Sequence, residues 1–561
     1  MITRKYLSFF TAIATGVCFV SVSPANSQVP TTAEPGIIMR DLGEERRAPS
    51  RLDDAIMFDE DDVAGAEVST EKVFTLQKIM LDGSTVYNQD AINLLVEGHI
   101  GQPVSFADLN TITRNITRLY RDDGYMFSRA ILPPQEIKDG IVHLQVIEGQ
   151  LTEVEVVGDF KDYNNLVQAL ADKIRSVGPT NSKQLERYLL LIDDLPGIKA
   201  RSLLQASETP GGGKLIITVE QEKFEGSVSV DNRGSKFLGR TRGTAVGAFN
   251  SLFGVHDRTT LRAILSKDTS ELRFFDISHE EQLGTDGVRV KGRFAVTNTE
   301  PGSSLDINNV EGDSRLFNLE VLYPILRGRQ YNLNLIGGFT AINSESDILG
   351  LDISEDRVRY LSAGGRFDFT DTWAGVTQID LEVAQGVDWF NATDDGLGRT
   401  RQNGEHDFIR FNASAIRLQN LPGGFSMLLS AAGQYSPDTL LSSEEFSVGG
   451  GQFGRAYDSG EIAGDQGISG LLELRYGGLV SHDYLKAYQL YSYYDLGRVW
   501  NDDPAVTENG HASLASAGIG VRFNLKYDVS GYLEVNKPLT RRVSAEGDDD
   551  ARLFFSLLKR F

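Results

Sequence analysis

The sequence predicts a transmembrane β-barrel of about 16 antiparallel strands, preceded by two periplasmic βααββ domains. Three observations predict it. Residues 1–27 carry a secretory pattern, residues 71–222 hold the same order of elements twice, and from residue 223 onward apolar residues alternate with polar ones instead of recurring at helical spacing.

The leading segment sets the compartment. Arg4 and Lys5 precede an apolar stretch from Leu7 to about Val22, and Pro24-Ala25-Asn26-Ser27-Gln28 follows. Small residues at Ala25 and Ser27 place a peptidase cut after Ser27, and the run is short for a bilayer crossing. Cys18 is the only cysteine. Val17 stands before it, where a lipoprotein site wants Gly or Ala, so Cys18 is expected to leave with the signal. A mature chain without thiols can form no disulfide and no thiolate metal site. With 78 acidic against 55 basic residues and a net charge of −23, the chain repels phosphate backbones, so nucleic acid is not an expected partner.

Residues 28–70 form a polar leader. Gly36-Ile37-Ile38-Met39-Arg40-Asp41-Leu42 can form a short helix, and Asp59-Glu60-Asp61-Asp62 lies beyond Pro49. Composition alone favours a disordered tail there. The first βααββ unit spans residues 71–149, with a strand over Val73–Met80, helices over Asn88–Glu97 and Phe106–Asp122, and strands over Phe127–Leu132 and Ile141–Ile147. Ser105 with Asp108 is an N-cap pattern, and Leu109, Ile112, Ile116 and Leu119 follow at helical spacing. The second unit, residues 150–222, repeats the order: strand Leu151–Val157, helices near Tyr163–Ile174 and Lys183–Leu195, strands Ala200–Ala206 and Lys214–Val219.

In residues 223–561 the alternation is regular. Within Val288–Val296 the apolar residues share one face and Arg289, Lys291 and Arg293 the other. Tyr331, Leu333, Leu335, Gly337 and Phe339 alternate with Asn332 and Asn334. A soluble sandwich rarely places so many charges at mid-strand, whereas a barrel with an oily outside and a wet lumen requires it. The pattern recurs every 21 residues or so, about the length of one strand and its connection. In the last strand Leu553, Phe555, Leu557 and Phe561 share one face. A terminal aromatic on an amphipathic strand is what outer-membrane barrels present to the barrel-assembly machinery, so Phe555, Leu557 and Phe561 are the expected assembly signal. On the strand near residue 491, Tyr488, Leu490, Tyr494 and Leu496 fall on the lipid face, so Gln489, Tyr491, Tyr493 and Asp495 point inward. This pattern fits equally a carboxylate lining a wet lumen and one that needs a counter-charge. Glu473 and Arg475 point inward on the preceding strand.

These motifs resemble the ShlB/FhaC/HecB family of haemolysin secretion and activation proteins, the transporters of two-partner secretion. Gly124-Tyr125 through Ala130-Ile131-Leu132-Pro133-Pro134-Gln135 is similar to the GY…A…LPPQ signature of the ShlB-type POTRA domain, and Asp139-Gly140 and Ile147-Glu148-Gly149 follow in place. The second unit looks like another POTRA domain. Asp231-Asn232-Arg233-Gly234 and Asn250-Ser251-Leu252-Phe253-Gly254 also match the family style. Gly454-Arg455-Ala456-Tyr457 resembles the VRGY lumen loop, departing at Gly454 and Ala456, where the motif usually has Val and Gly. Tyr493-Tyr494-Asp495-Leu496-Gly497 resembles the FxDxG wall motif, with Tyr493, Asp495 and Gly497 at its fixed positions. The resemblance implies an Arg455–Asp495 pair with Glu473 nearby, a leader helix near Ile37–Arg47 that plugs the barrel, and export of a partner exoprotein through its N-terminal secretion domain. It implies an outer-membrane location, POTRA domains in the periplasm, contact with outer-membrane lipid and no cofactor.

Other patterns lead nowhere. Gly449, Gly451 and Gly454 spell GxGxxG, but a Tyr-Asp-Ser-Gly loop follows instead of a helix. The seven histidines stand singly, without metal-ligand spacing. There is no GxSxG elbow, and the chain is not expected to be an enzyme. A barrel-assembly insertase of the same superfamily is the alternative; it would share the arginine loop but usually has more POTRA units.

Overall fold

A computed structural model describes residues 29–43, 71–175, 178–207, 212–393, 398–502 and 510–561. The cut expected after Ser27 and the acidic stretch at residues 59–62 lie outside the described residues.

The chain begins with helix α1 (Pro35–Gly43) and continues into the first βααββ unit: β1 (Lys72–Thr75), β2 (Lys78–Asp82), α2 (Gln89–Val96), β3 (Pro103–Ser105), α3 (Phe106–Asp122), β4 (Arg129–Ile131) and β5 (Ile141–Ile147). The single opening strand expected over Val73–Met80 is two strands. The backbone of buried Leu76 turns away to Gln102 and Gly101 at 3.0 and 2.7 Å, so β1 pairs with β3 while β2 joins β5 in the main sheet, ordered β2-β5-β4. Ser105 and Asp108 exchange side-chain and backbone bonds in a full capping box at the start of α3. Leu109, Ile112, Ile116 and Tyr120 fill the core from that helix, and Leu119 sits at its edge.

The second unit is β6 (Gln150–Asp159), α4 (Leu166–Ile174), α5 (Ser182–Asp193), β7 (Ile198–Ala206) and β8 (Gly212–Gln221), with sheet order β6-β8-β7. Leu185, Leu189 and Ile192 of α5 meet Val167 and Leu170 of α4 over this sheet. Its outer side docks on the barrel. Arg327 forms a two-pronged pair with Asp194 at 2.7 and 2.8 Å, and Arg187 donates to the carbonyls of Asp286 and Pro324 at 3.1 and 3.0 Å. His256 lies 3.3 Å from Asp162, which also caps α4 through the amides of Val167 and Gln168.

Residues from Phe224 close a barrel of 16 antiparallel strands. They are β9 (Phe224–Asp231), β10 (Arg242–Asn250), β11 (Asp257–Ser266), β12 (Arg273–Leu283), β13 (Val288–Thr299), β14 (Val310–Arg327), β15 (Tyr331–Ile348), β16 (Leu351–Thr370), β17 (Gly375–Gly386), β18 (Ile409–Asn420), β19 (Phe425–Tyr435), β22 (Gln466–Leu479), β23 (Leu485–Trp500), β24 (His511–Leu525), β25 (Val529–Pro538) and β26 (Arg552–Arg560). A hairpin of β20 (Phe446–Val448) and β21 (Ile462–Gly464) lies between β19 and β22. No helix among the described residues is long and apolar enough to cross a bilayer. The crossing face is built by alternation: Phe317, Leu319, Val321 and Tyr323 of β14 are exposed on the outside, while Asn318 and Glu320 line the lumen. Lumen charges are cross-paired, as with Arg293 and Asp276 at 2.5 Å.

Candidate functional site

Two segments fill the lumen. The first is α1, whose residues Pro35 to Met39 are buried. Met39 and Ile38 pack with Phe274, Ala295, Leu316 and Ile342 on the wall. The second is the loop between β19 and β22, which folds back inside and carries the β20–β21 hairpin. The two are tied to each other. Thr31 donates to the Gly460 carbonyl at 2.6 Å, and Arg40 to the Ser443 carbonyl and Ser447 hydroxyl at 3.1 and 3.2 Å. Asp41 accepts from Ser447 at 3.1 Å and from Ser459 at 2.5 Å. Between them and the wall a cavity of about 740 Å³ remains, lined by Arg293, Arg366, Arg410, Glu320, Asp380 and Glu382 among others.

The tip of the loop carries the motif read from sequence. Gly454 adopts φ +73°, a left-handed conformation open mainly to glycine, and a Cβ there would approach Leu514 Cδ1 to 2.8 Å. The departure from valine at this position therefore accompanies a turn that valine would not make comfortably. Arg455 follows and is buried against the wall. Its Nη1 donates to Glu473 Oε2 at 2.7 Å, and its guanidinium carbon lies 3.5 Å from the centroid of the Tyr493 ring. Its Nε is 3.5 Å from Asp495 Oδ2, and its backbone N–H donates to that same oxygen at 3.1 Å. The pairing expected with Asp495 is thus shared, and the shorter ion pair goes to Glu473. Ala456 has no exposed surface; its carbonyl accepts from Arg552 at 2.9 Å. The Tyr457 hydroxyl sits 3.2 Å from the Ala515 carbonyl. Gly497, on the wall, gives the loop room: a Cβ there would come within 2.6 Å of Val448 in β20.

Glu473 is the hub. It is 1% exposed and receives Arg455, Arg475 and Arg522, each at 2.7 Å. Asp495 is fully buried and also accepts from the Ser516 hydroxyl. Burying carboxylates is costly unless charges and hydrogen bonds satisfy them; guanidinium groups do so for Glu473, and the Arg455 N–H and Ser516 hydroxyl for Asp495. Sequence reasoning placed Glu473, Arg475 and Asp495 inward but missed Arg522 and Ser516. Arg522 was legible as a cation at an inward position between Val521 and Phe523, whereas Ser516 carries no such signal. Further ties hold the loop: Arg401 with Asp465 at its root, Arg410 with Glu444, and Arg552 with Asp458 beside the tip.

This combination of two periplasmic domains, a 16-strand barrel and an inward loop held by an arginine has relatives. Residues 74–149 match the ShlB-type POTRA domain. Residues 211–523, more than half of the chain, match the haemolysin secretion/activation proteins ShlB/FhaC/HecB. The chain belongs to this family. As a family member it is an outer-membrane transporter with its POTRA domains in the periplasm. It is 25% identical over 483 residues to the heme/hemopexin transporter protein HuxB of Haemophilus influenzae, covering 84% of each chain. It is 24% identical over 479 residues to the outer membrane transporter CdiB of Escherichia coli, covering 83% of this chain and 79% of that one. The solved structure of CdiB from Escherichia coli superposes with a TM-score of 0.75 at 21% identity, covering 94% of this chain and 96% of the other. CdiB from Acinetobacter baumannii gives 0.64 at 16% identity, covering 93% and 96%. At these identities the structural likeness speaks to fold.

Proposed function

We propose that this transporter captures an unfolded partner exoprotein by its N-terminal secretion domain and passes it, extended, through the barrel lumen. The observation that carries the reading is the double obstruction of the lumen. Helix α1 and the inward loop both occupy it, and both are held by hydrogen bonds, ion pairs and side-chain packing, not by pairing with wall strands. Such ties can be exchanged for contacts with a passing chain, and the charged, cross-paired lumen would keep that chain hydrated. In this reading α1 is a plug, the loop is a lid, and Arg455 with Glu473, Asp495 and Tyr493 is the lid's fastening. No nucleotide motif is present in the sequence, so the work comes from binding at the POTRA pair by strand addition at a sheet edge, and from folding of the cargo outside. Phe555, Leu557 and Phe561 serve recognition by the barrel-assembly machinery, and the outward apolar band meets lipid.

The test is Arg455→Ala. It is expected to cut secretion of the partner at least about tenfold, as loss of a charge-assisted contact implies, while the barrel remains inserted and heat-modifiable. Normal secretion by that variant would remove the fastening role. Deletion of the gene separates the exporter from an insertase: loss of one surface protein supports export, and a general loss of outer-membrane barrels supports assembly.

A further inference from the structure

The Asp231-Asn232-Arg233-Gly234 turn ends the first barrel strand, far in sequence from the lid. It nonetheless reaches both the closing seam of the barrel and the lid tip. The seam, β26 on β9, runs only from Ser556 opposite Asp231 to Arg560 opposite Ser227. Beyond it the Asn232 amide takes over: its Oδ1 accepts from the Phe555 N–H at 2.7 Å and its Nδ2 donates to the Leu553 carbonyl at 2.8 Å. The Asn232 backbone N–H still donates to the Phe555 carbonyl at 3.3 Å, and its side-chain amide carries the ladder on to Leu553.

Arg233 turns the other way, into the lumen. Its Nη1 donates to the Arg455 carbonyl at 2.8 Å, its Nε to the Tyr532 hydroxyl at 3.2 Å, and its Nη2 pairs with Glu534. Its guanidinium carbon lies 4.2 Å from the centroid of the Phe554 ring. Glu534 is held in turn by the Tyr491 hydroxyl at 2.6 Å and by Asn536 Nδ2 at 2.9 Å, and that same Asn536 nitrogen lies 3.1 Å from the Arg455 carbonyl. Three contacts thus fix Arg233 on β25 and β26, and its remaining fork points at the lid. Arg455 is gripped from two sides: its side chain by Glu473, Asp495 and Tyr493, and its carbonyl by Arg233 and Asn536.

We infer that this turn carries two separate fastenings, with Asn232 holding the barrel seam and Arg233 acting as a positioning residue that presents Arg455 to its wall partners. The inference rests on the reading of the loop as a movable lid. A planar guanidinium supplies several donors in fixed directions, so lysine, with a compact ammonium, cannot hold Tyr532, Glu534 and the carbonyl together.

Single-channel conductance of the full mature protein in planar bilayers, without cargo, tests this, with Arg455→Ala as the reference for an unfastened lid. Arg233→Ala should raise the time spent in the large-conductance state about tenfold, the size expected for one charged hydrogen bond. Arg233→Lys should recover only part of that, and the double variant with Arg455→Ala should open no more than Arg455→Ala alone. Asn232→Ala should lower the temperature at which the barrel loses its heat-modifiable mobility and leave conductance unchanged. If Arg233→Ala disturbs insertion, Tyr532→Phe, which removes only the Nε contact, should shift gating the same way by less. Wild-type gating in Arg233→Ala beside open channels in Arg455→Ala would overturn the inference alone, as would additive effects in the double variant. Wild-type gating in Arg455→Ala itself would overturn the lid reading beneath it.

Discussion

Single side chains do the work of missing backbone at several points. Gln135, the last residue of the LPPQ stretch, accepts from the His143 N–H at 2.8 Å and donates to the His143 carbonyl at 2.6 Å, extending the β4 side of β5 past the two prolines that end β4. Glu148 does similar work at the junction of the two POTRA domains. It accepts from the Thr85 hydroxyl at 2.5 Å, the Thr85 and Val86 amides at 2.8 and 3.0 Å, and the Tyr120 hydroxyl at 2.8 Å. Partial burial pushes its pKa up, but these donors together outweigh burial and hold it below the ordinary glutamate range. A carboxyl depressed in the folded state stabilises it above the pKa of the unfolded chain, and that stability is lost as pH falls through the lower, folded value. Hydrogen exchange at the Thr85 and Val86 amides is therefore expected to accelerate as pH drops below the ordinary glutamate range, after correction for intrinsic exchange. In Glu148→Gln it should already be fast at neutral pH and show no such step. An identical pH profile in the two proteins would count against this role.

Elements are positioned by charges at their ends. The second POTRA domain sits on the periplasmic turns through the Arg327–Asp194 pair, Arg187 and the His256–Asp162 contact. Burial of the His256 ring lowers its pKa, an effect only partly offset by Asp162. A histidine held neutral in the docked state favours docking above the ordinary histidine pKa and loses that contribution as pH falls through that range. Arg327→Ala leaves Asp194 without its fork and should weaken docking by about 2 kcal/mol. Spin labels on α5 and on the β14–β15 turn would report this as a broadened distance distribution, widening further at mildly acidic pH; a single narrow distance in Arg327→Ala would refute it. The inward loop is an element of the same kind. Asp465 at its root takes the Arg401 fork together with the Leu440 and Asp502 amides at 2.7 and 3.0 Å, so both stems of the loop and two neighbouring surface loops meet on one carboxylate. Asp465→Asn should speed proteolysis of the loop in the otherwise folded barrel, read by fragment appearance on gels.

Across the whole molecule the exposed faces of the strands form an apolar band around a lumen of paired charges. The purified mature protein is expected to need detergent or lipid for solubility and to show a strand-dominated circular dichroism spectrum. Solubility without detergent would contradict the membrane reading. The barrel ladder is closed, and the sequence holds a single cysteine, Cys18, so no disulfide can form within the chain and burial and hydrogen bonding carry its stability. At the short β26–β9 seam the Asn232 side chain supplements the ladder.

The architecture was written in local patterns. Period-two alternation, the repeated βααββ order and the capping box at Ser105 depend on neighbours close in sequence, so one sequence sufficed to read a barrel of about 16 strands, the two βααββ units and the inward faces of Glu473, Tyr493 and Asp495. The division of Val73–Met80 between two sheets, the preference of Arg455 for Glu473 over Asp495, and the reach of Arg233 to a carbonyl 222 residues away were decided only by tertiary structure. Those outcomes depend on which inward side chains the closed ring brings within hydrogen-bond distance, and strand alternation fixes the face of a residue but not its partner across a lumen.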